Sequence, residues 1–276
     1  MESTEHPLAL EHLAGCLALS RAANWNQNEA DWRLMLSMGQ GWGLSLADGT
    51  LAASTIVLPY GGKFAWVSMV LVLPGERRKG YASRLLRVAL AELEKRDLTP
   101  ILDATPAGRE VYRHEGFEDR WAFSRFATQA RFTPAAQTEA RALAEADWDW
   151  IVPLDAAAFG ASRETLLRAL AGRLPQAALV VERKGFLLGR DGREARQLGP
   201  LVAHDPQAAG ELLSQALCRV APPVYLDVAG HARTLGEWLG AHGFRFQRPF
   251  TRMVRGAKPA PGDERLVYCV AGPELG

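Results

Sequence analysis

Residues 72–86 read VLPGERRKGYASRLL: an apolar stretch ends, three cations and a glycine follow, and an amphipathic pattern begins. The first turn of a helix leaves backbone N–H groups without intrahelical partners, and the aligned peptide dipoles favour an anion there. Arg77, Arg78 and Lys79 add side-chain charge at that point. Gly80, lacking Cβ, lets an anion approach the backbone, and the small Ala82 and Ser83 keep the first turn open. The stretch is thus a strand-to-helix junction shaped for phosphate or, more blandly, the solvated start of a surface helix. Its setting in the chain weighs between the two.

The 276 residues are 48% hydrophobic, which suffices for one large domain or two of ordinary size. Thirty-two Lys and Arg face 31 Asp and Glu, a formal charge of +1. Such a balance gives no general attraction to nucleic acid or to an anionic membrane, so any anion is recognised locally. Cys16, Cys218 and Cys269 are scattered, in no metal-ligand spacing, and are expected to be reduced thiols with no metal bound. The sequence opens without a basic leader and apolar run, and no apolar segment approaches the roughly 20 residues of a membrane helix. A cytoplasmic protein is expected.

Outward from the junction, periodicity predicts helices over 8–20 and 28–38, strands over 42–46, 51–58 and 64–73, and the helix 80–95. A strand at 99–104, a helix at 107–115 and a strand at 117–128 follow. The second half repeats that order: helices 149–159 and 163–173, strands 178–182, 185–190 and 195–203, helix 207–220, strand 224–228, helix 234–242 and strand 244–254. Echoes accompany the repeat, ILDATPAGREVYRHEGF against YLDVAGHARTLGEWLGAHGF and WAFSRF against RPFTRM. Each half has a Leu-Asp at a strand end and a Gly-Phe that stops its last helix. Two copies of one domain are expected, joined across Ala130 to Thr138 around Pro134, with ERLVYCVAGPELG as an extra strand belonging to either half.

This element order, with Arg77-x-x-Gly80-x-Ala82 opening a helix after an apolar strand, resembles the GNAT superfamily of N-acetyltransferases. The resemblance implies an α+β fold of two tandem GNAT-like domains, each a mixed, mostly antiparallel sheet flanked by helices. Residues 1–130 would be the catalytic copy and 139–276 a degenerate one that binds substrate or dimerises. It implies acetyl-CoA as co-substrate. The pyrophosphate would lie on Arg77, Arg78, Lys79, Gly80, Tyr81, Ala82 and Ser83, and the pantetheine arm and thioester carbonyl on the backbone of Met69, Val70, Leu71 and Val72.

A second match is DATPAGREVYRHEGF, residues 103–117. The family's Asn is here Thr105, its Ala is Gly108, and its Tyr and Gly-Phe stand as Tyr112 and Gly116-Phe117. Thr105 keeps a hydroxyl for the pantetheine arm or the helix backbone, and the resemblance carries both Thr105 and Gly108 into the co-substrate site. Tyr112 is the candidate catalytic acid: a phenol near 10 is protonated at neutral pH and, within reach of the leaving sulfur, donates to it. Its bland alternative is an aromatic packed on the helix face.

The loop NWNQNEADW offers Asn24, Trp25 and Asn26, with Trp32 beyond, either to a small polar substrate or to an interdomain contact. No residue stands out as the base. In the second half Asp205 and Pro206 start a helix where phosphate would lie, and Leu239 takes the Tyr position, so that copy is not expected to catalyse. The function expected is transfer of acetyl from acetyl-CoA directly to a primary amine of a small molecule, with no nucleic-acid or membrane partner and with room for a homodimer. The alternative is a non-catalytic acyl-CoA-binding sensor.

Overall fold

The computed structural model describes residues 3–133 and 138–276; the expected join around Pro134 lies in part outside the described residues. The first half runs β1 (Ser3–Leu8), α1 (Leu13–Ala22), α2 (Glu29–Met38), β2 (Gln40–Leu46), β3 (Leu51–Tyr60), β4 (Phe64–Val72), α3 (Tyr81–Lys95), β5 (Thr99–Ala104), α4 (Pro106–His114) and β6 (Phe117–Thr128). The second runs β7 (Arg141–Ala142), α5 (Trp148–Phe159), α6 (Glu164–Arg173), β8 (Leu179–Val181), β9 (Gly185–Arg190) and β10 (Arg196–Ala203). It continues through α7 (Pro206–Arg219), β11 (Val224–Ala229), α8 (Arg233–Ala241), β12 (Arg245–Arg255) and β13 (Val267–Cys269).

The helices follow their apolar stripes. α3 buries Leu85, Leu86, Ala89, Leu90 and Leu93 on one face, and α2 starts at Asn28, whose side chain accepts from the Asp31 N–H. Gly116 and Gly243, expected to end helices in the left-handed conformation, have φ of 84° and 80°. One expectation fails at the start: the helix predicted from Leu8 begins at Leu13, and residues 3–8 form a strand. β1 is an edge strand paired only with β2, so it needs no apolar alternation and tolerates Pro7.

The thirteen strands of the described residues form one sheet, in the order β1-β2-β3-β4-β5-β12-β6-β11-β13-β10-β9-β8-β7. The two halves exchange their long final strands: β12 pairs with β5 of the first half, and β6 pairs with β11 of the second. A division at residue 130 therefore follows the chain but not the sheet. β6 and β12 pair with each other along most of their length, with Phe123 opposite Phe250 and their rings stacked at 5.0 Å.

The sequence echoes sit on this seam. Arg252 makes a two-pronged bond to Asp103, both contacts 2.9 Å, and Arg125 does the same to Asp227 at 2.8 and 2.7 Å. Each repeated Leu-Asp thus meets the repeated Arg of the other half. Arg252 lies between Trp66 and Trp121, 4.4 and 4.3 Å from their ring centroids, and Asp227 also accepts from Gln197 Nε2 at 2.8 Å. Removing one member of such a buried pair leaves an uncompensated charge, at a cost of about 3–5 kcal/mol, whereas replacing both by apolar groups costs far less. Asp227→Ala is expected to lower stability by about that amount, and Arg125→Met with Asp227→Leu to recover most of it. Urea unfolding midpoints check both.

Candidate active site

β4 and β5 run parallel for three rungs only, Phe64 with Thr99, Ala65 with Pro100 and Trp66 with Ile101. Beyond them the strands diverge, and a cavity lies in the gap, walled by Val67 to Val70 on one side and by Leu102, Asp103 and Thr105 on the other. β4 bulges here: Ser54 faces Leu71 and Ile56 faces Ser68, so Met69 and Val70 share Thr55 as partner. Met69 has φ of 52°, a conformation that costs a non-glycine residue about 1–3 kcal/mol, and Ser54 Oγ donates to its carbonyl at 2.8 Å. That bond fixes the turned peptide, so the bulge presents backbone toward the gap rather than continuing the ladder.

α4 closes the gap from above and brings Tyr112 to it. Thr105 caps this helix, accepting from the Gly108 N–H at 3.3 Å. A Cβ on Gly108 would lie 2.9 Å from the Tyr112 ring, so the glycine at the family's Ala position makes room for that ring. The Tyr112 hydroxyl has no hydrogen-bond partner among the described residues, and burial pushes its phenol up to about 12. It is therefore a neutral donor at every ordinary pH.

The cationic junction is open. Gly80, in the left-handed conformation with φ of 82°, starts α3, and nothing lies within 4 Å of where its Cβ would be. Arg77, Arg78 and Lys79 are exposed, while Tyr81, Ala82 and Ser83 are half-buried. Lys79 is bound to Glu76 at 2.8 Å, and Arg78 has no salt-bridge partner among the described residues. Of the expected backbone positions, Met69 and Val70 line the cavity and Leu71 and Val72 do not.

The loop after α1 divides. Trp25 lines the cavity. Asn26 lines it too, but its amide is occupied by the second half: Nδ2 donates to Ala195 O at 2.9 Å, and Oδ1 accepts from the N–H groups of Glu194 and Ala195. Asn24 is exposed and outside the cavity, and Trp32 is a core residue bonded to Ser20 Oγ at 2.9 Å. Sequence reasoning missed Gln27, Ser68, Arg248 and Glu274, all of which line the cavity with a side-chain polar atom that is buried and unpartnered. Asp103 and Arg125 were legible as an echo, though not as cavity wall.

The second half has the same divergence. β10 and β11 share three parallel rungs, ending at Leu198 with Leu226, and then separate. Here the gap is filled: β13 pairs antiparallel with both, Cys269 facing Leu201 and Val228, and Val270 N donates to Asp227 O at 3.0 Å. The extra strand thus joins the second half. Asp205 caps α7 by accepting from Ala208 N at 2.8 Å, and Leu239 is fully buried. The segment after β13 then crosses to the first half, where Pro273 and Glu274 reach the open cavity.

Family models agree with this duplication. Residues 11–117 match the model described as acetyltransferase (GNAT) family, and residues 151–269 one described as acetyltransferase (GNAT) domain. The chain belongs to the GNAT acetyltransferases. It is 25% identical over 280 residues to a holothin acyltransferase of a Pseudoalteromonas species, covering 99% of this chain and 94% of that one. Its fold is similar to that of a Pyrococcus horikoshii protein, with a TM-score of 0.84 at 20% identity over 99% and 96% of the two chains. A tandem GNAT protein from the clavulanic acid biosynthesis pathway matches with a TM-score of 0.66 at 17% identity, over 94% and 99%.

The tandem GNAT fold holds Tyr112 through α4, which is anchored to β6 by charge. Asp119 accepts from Arg109 Nε at 3.0 Å and from Arg113 Nη2 at 2.6 Å, and the hydrogen bond from Arg109 above all holds its carboxyl down at about 2. A depressed carboxyl stabilises fully above its unfolded value near 3.9, and the contribution is lost as pH falls toward 2. The melting temperature of Asp119→Asn is expected to lie below that of the parent at pH 7, with the gap closing between about pH 4 and 2. Melting curves at pH 7, 4 and 2.5 check it.

Proposed function

We propose that the first half transfers the acetyl group of acetyl-CoA directly to a primary amine of a small molecule, with both substrates bound together. The observation that carries this reading is the contrast between the two clefts. Between β10 and β11 the chain's own strand pairs with the diverging backbones; between β4 and β5 the same opening is left free and faces Tyr112. An extended, amide-bearing pantetheine arm fits an opening that a peptide strand fills in the other copy.

Each part then has a task. Backbone N–H groups at the start of α3, with Arg78 unpaired beside them, hold the pyrophosphate. The Met69–Val70 bulge, with its backbone set by Ser54, steadies the charge that develops on the thioester carbonyl oxygen. Tyr112 donates its proton toward the sulfur as the C–S bond breaks. A free thiol of this kind lies near 8.5, and the apolar surroundings that raise the phenol raise it as well, so donor and acceptor shift in the same direction. The 25% identical relative, named for acyl transfer, supports an acyl donor here, and the amine acceptor follows from the family's usual chemistry.

Calorimetric titration with acetyl-CoA tests the first half of this reading. The parent is expected to bind one equivalent, and Gly80→Asp to bind at least tenfold more weakly than Gly80→Asn, which carries the same shape and backbone strain without the carboxylate. Thiol release with a panel of alkylamines and arylamines tests the second: Tyr112→Phe is expected to lose about 100-fold in kcat with its acetyl-CoA affinity unchanged. No binding by the parent refutes the reading. Undiminished turnover by Tyr112→Phe removes the phenol from the chemistry.

A further inference from the structure

We infer that Glu274, carried into the first half's cavity by the segment that follows β13, is the carboxylate that receives the acceptor's ammonium group and removes its proton. This rests on the amine-acceptor reading above.

Glu274 is 3% exposed, yet it lines the cavity. Its Oε1 accepts from Arg190 Nη2, while its Oε2 is buried without a partner. A buried carboxylate oxygen with no donor is costly to maintain in a fold that has bonded so many of its other buried charges. A ligand bearing an N–H or O–H would complete this oxygen, and the same cavity is lined by two further unpartnered groups able to accept, Gln27 Oε1 and the Ser68 hydroxyl, besides one unpartnered donor, Arg248 Nε. Three oxygens able to accept on the wall of one cavity suit an ammonium group, which has three donors and no acceptor.

The route of the segment is built around this carboxylate. Trp66 Nε1 donates to Pro273 O at 3.0 Å and Tyr60 Oη to Leu275 O at 3.0 Å, clamping the backbone on both sides of Glu274. Gly272 has φ of 143°, and a Cβ there would lie 2.9 Å from Arg190 Nη2 and 3.0 Å from Glu274 Oε2, so no side chain fits beside the pair. Arg190 is itself held by Asp31 of α2, which also binds Arg173. Facing Glu274 across the cavity are Arg125, bound to Asp227, Asp103, bound to Arg252, and the unpaired Arg248, with the Tyr60 phenol behind.

The protons balance. An alkylammonium ion gives its first proton to Glu274, which passes it to solvent. The freed lone pair forms the C–N bond, the C–S pair leaves with sulfur, and sulfur takes the Tyr112 proton. The second proton shed by nitrogen restores that phenol. The base enters from one face of the cavity and the acid stands on α4 at another.

Glu274→Gln keeps a donor-acceptor group beside Arg190 but cannot accept the proton. With the amine panel and saturating acetyl-CoA, this variant is expected to lose about 100-fold or more in kcat for alkylamines at pH 7. Its rate is expected to climb tenfold per pH unit toward the amine's own pKa, closing on the parent, because the amine then arrives already neutral. Arylamines, neutral at pH 7, are expected to be slowed far less, and Glu274→Asp to fall between parent and Gln. An equal loss for both amine classes that does not vary with pH gives Glu274 a structural role only and overturns the inference, as does full activity in Glu274→Gln. If the parent binds no acetyl-CoA or releases thiol with no amine, the functional reading fails first, and the parent alone shows it.

Discussion

The exchange of final strands, locked by two crossed Arg–Asp pairs, is the constraint that the rest of the molecule obeys. Had each half kept its own last strand, Asp103 would face Arg125 and Asp227 would face Arg252 within separate domains. Instead each carboxylate is buried against the partner half's guanidinium, and neither half can withdraw without stranding a charge in the core. The seam also lends the first half's cavity part of its wall, since Arg125, Arg248 and Phe250 come from the strands that cross there. The second half thus forms part of the wall of the first half's cavity.

Symmetry is broken by ten residues. The seam relates the halves closely enough that both show three parallel rungs followed by divergence, and a single segment then treats the two openings differently. Its first part closes one cleft by backbone pairing, which needs no particular side chains. Its second part brings Glu274 to the other cleft, pinned through Arg190 to α2 of the first half. The two clefts of a duplicated fold are in this way treated by interactions of two kinds: a strand ladder where the cleft is filled and a buried charge network beside the one left open.

Much of this was legible in the sequence because it is local. The apolar period of α3, the Asp205 cap and the glycines at 116 and 243 are short-range devices, and the structure has them where the pattern puts them. β1 was hidden because an edge strand with polar residues needs no alternating pattern, and only its last residue, Leu8, was drawn into the helix expected over 8–20. The echoed Asp and Arg residues announced a repeat but not that they pair crosswise, since no local signal distinguishes an exchanged strand from a retained one. Glu274 was invisible for a related reason. In AGPELG it is one polar residue among small ones, and only its distant partners, Arg190, Trp66 and Tyr60, give it a place.

The most direct test of the account is a crystal structure of the full chain soaked or grown with coenzyme A. It predicts the pantetheine arm between β4 and β5, with the thiol beside Tyr112 and the pyrophosphate at Gly80, while β13 stays in place between β10 and β11. Coenzyme A lying between β10 and β11 with β13 displaced would contradict it, and would make the second half the working copy.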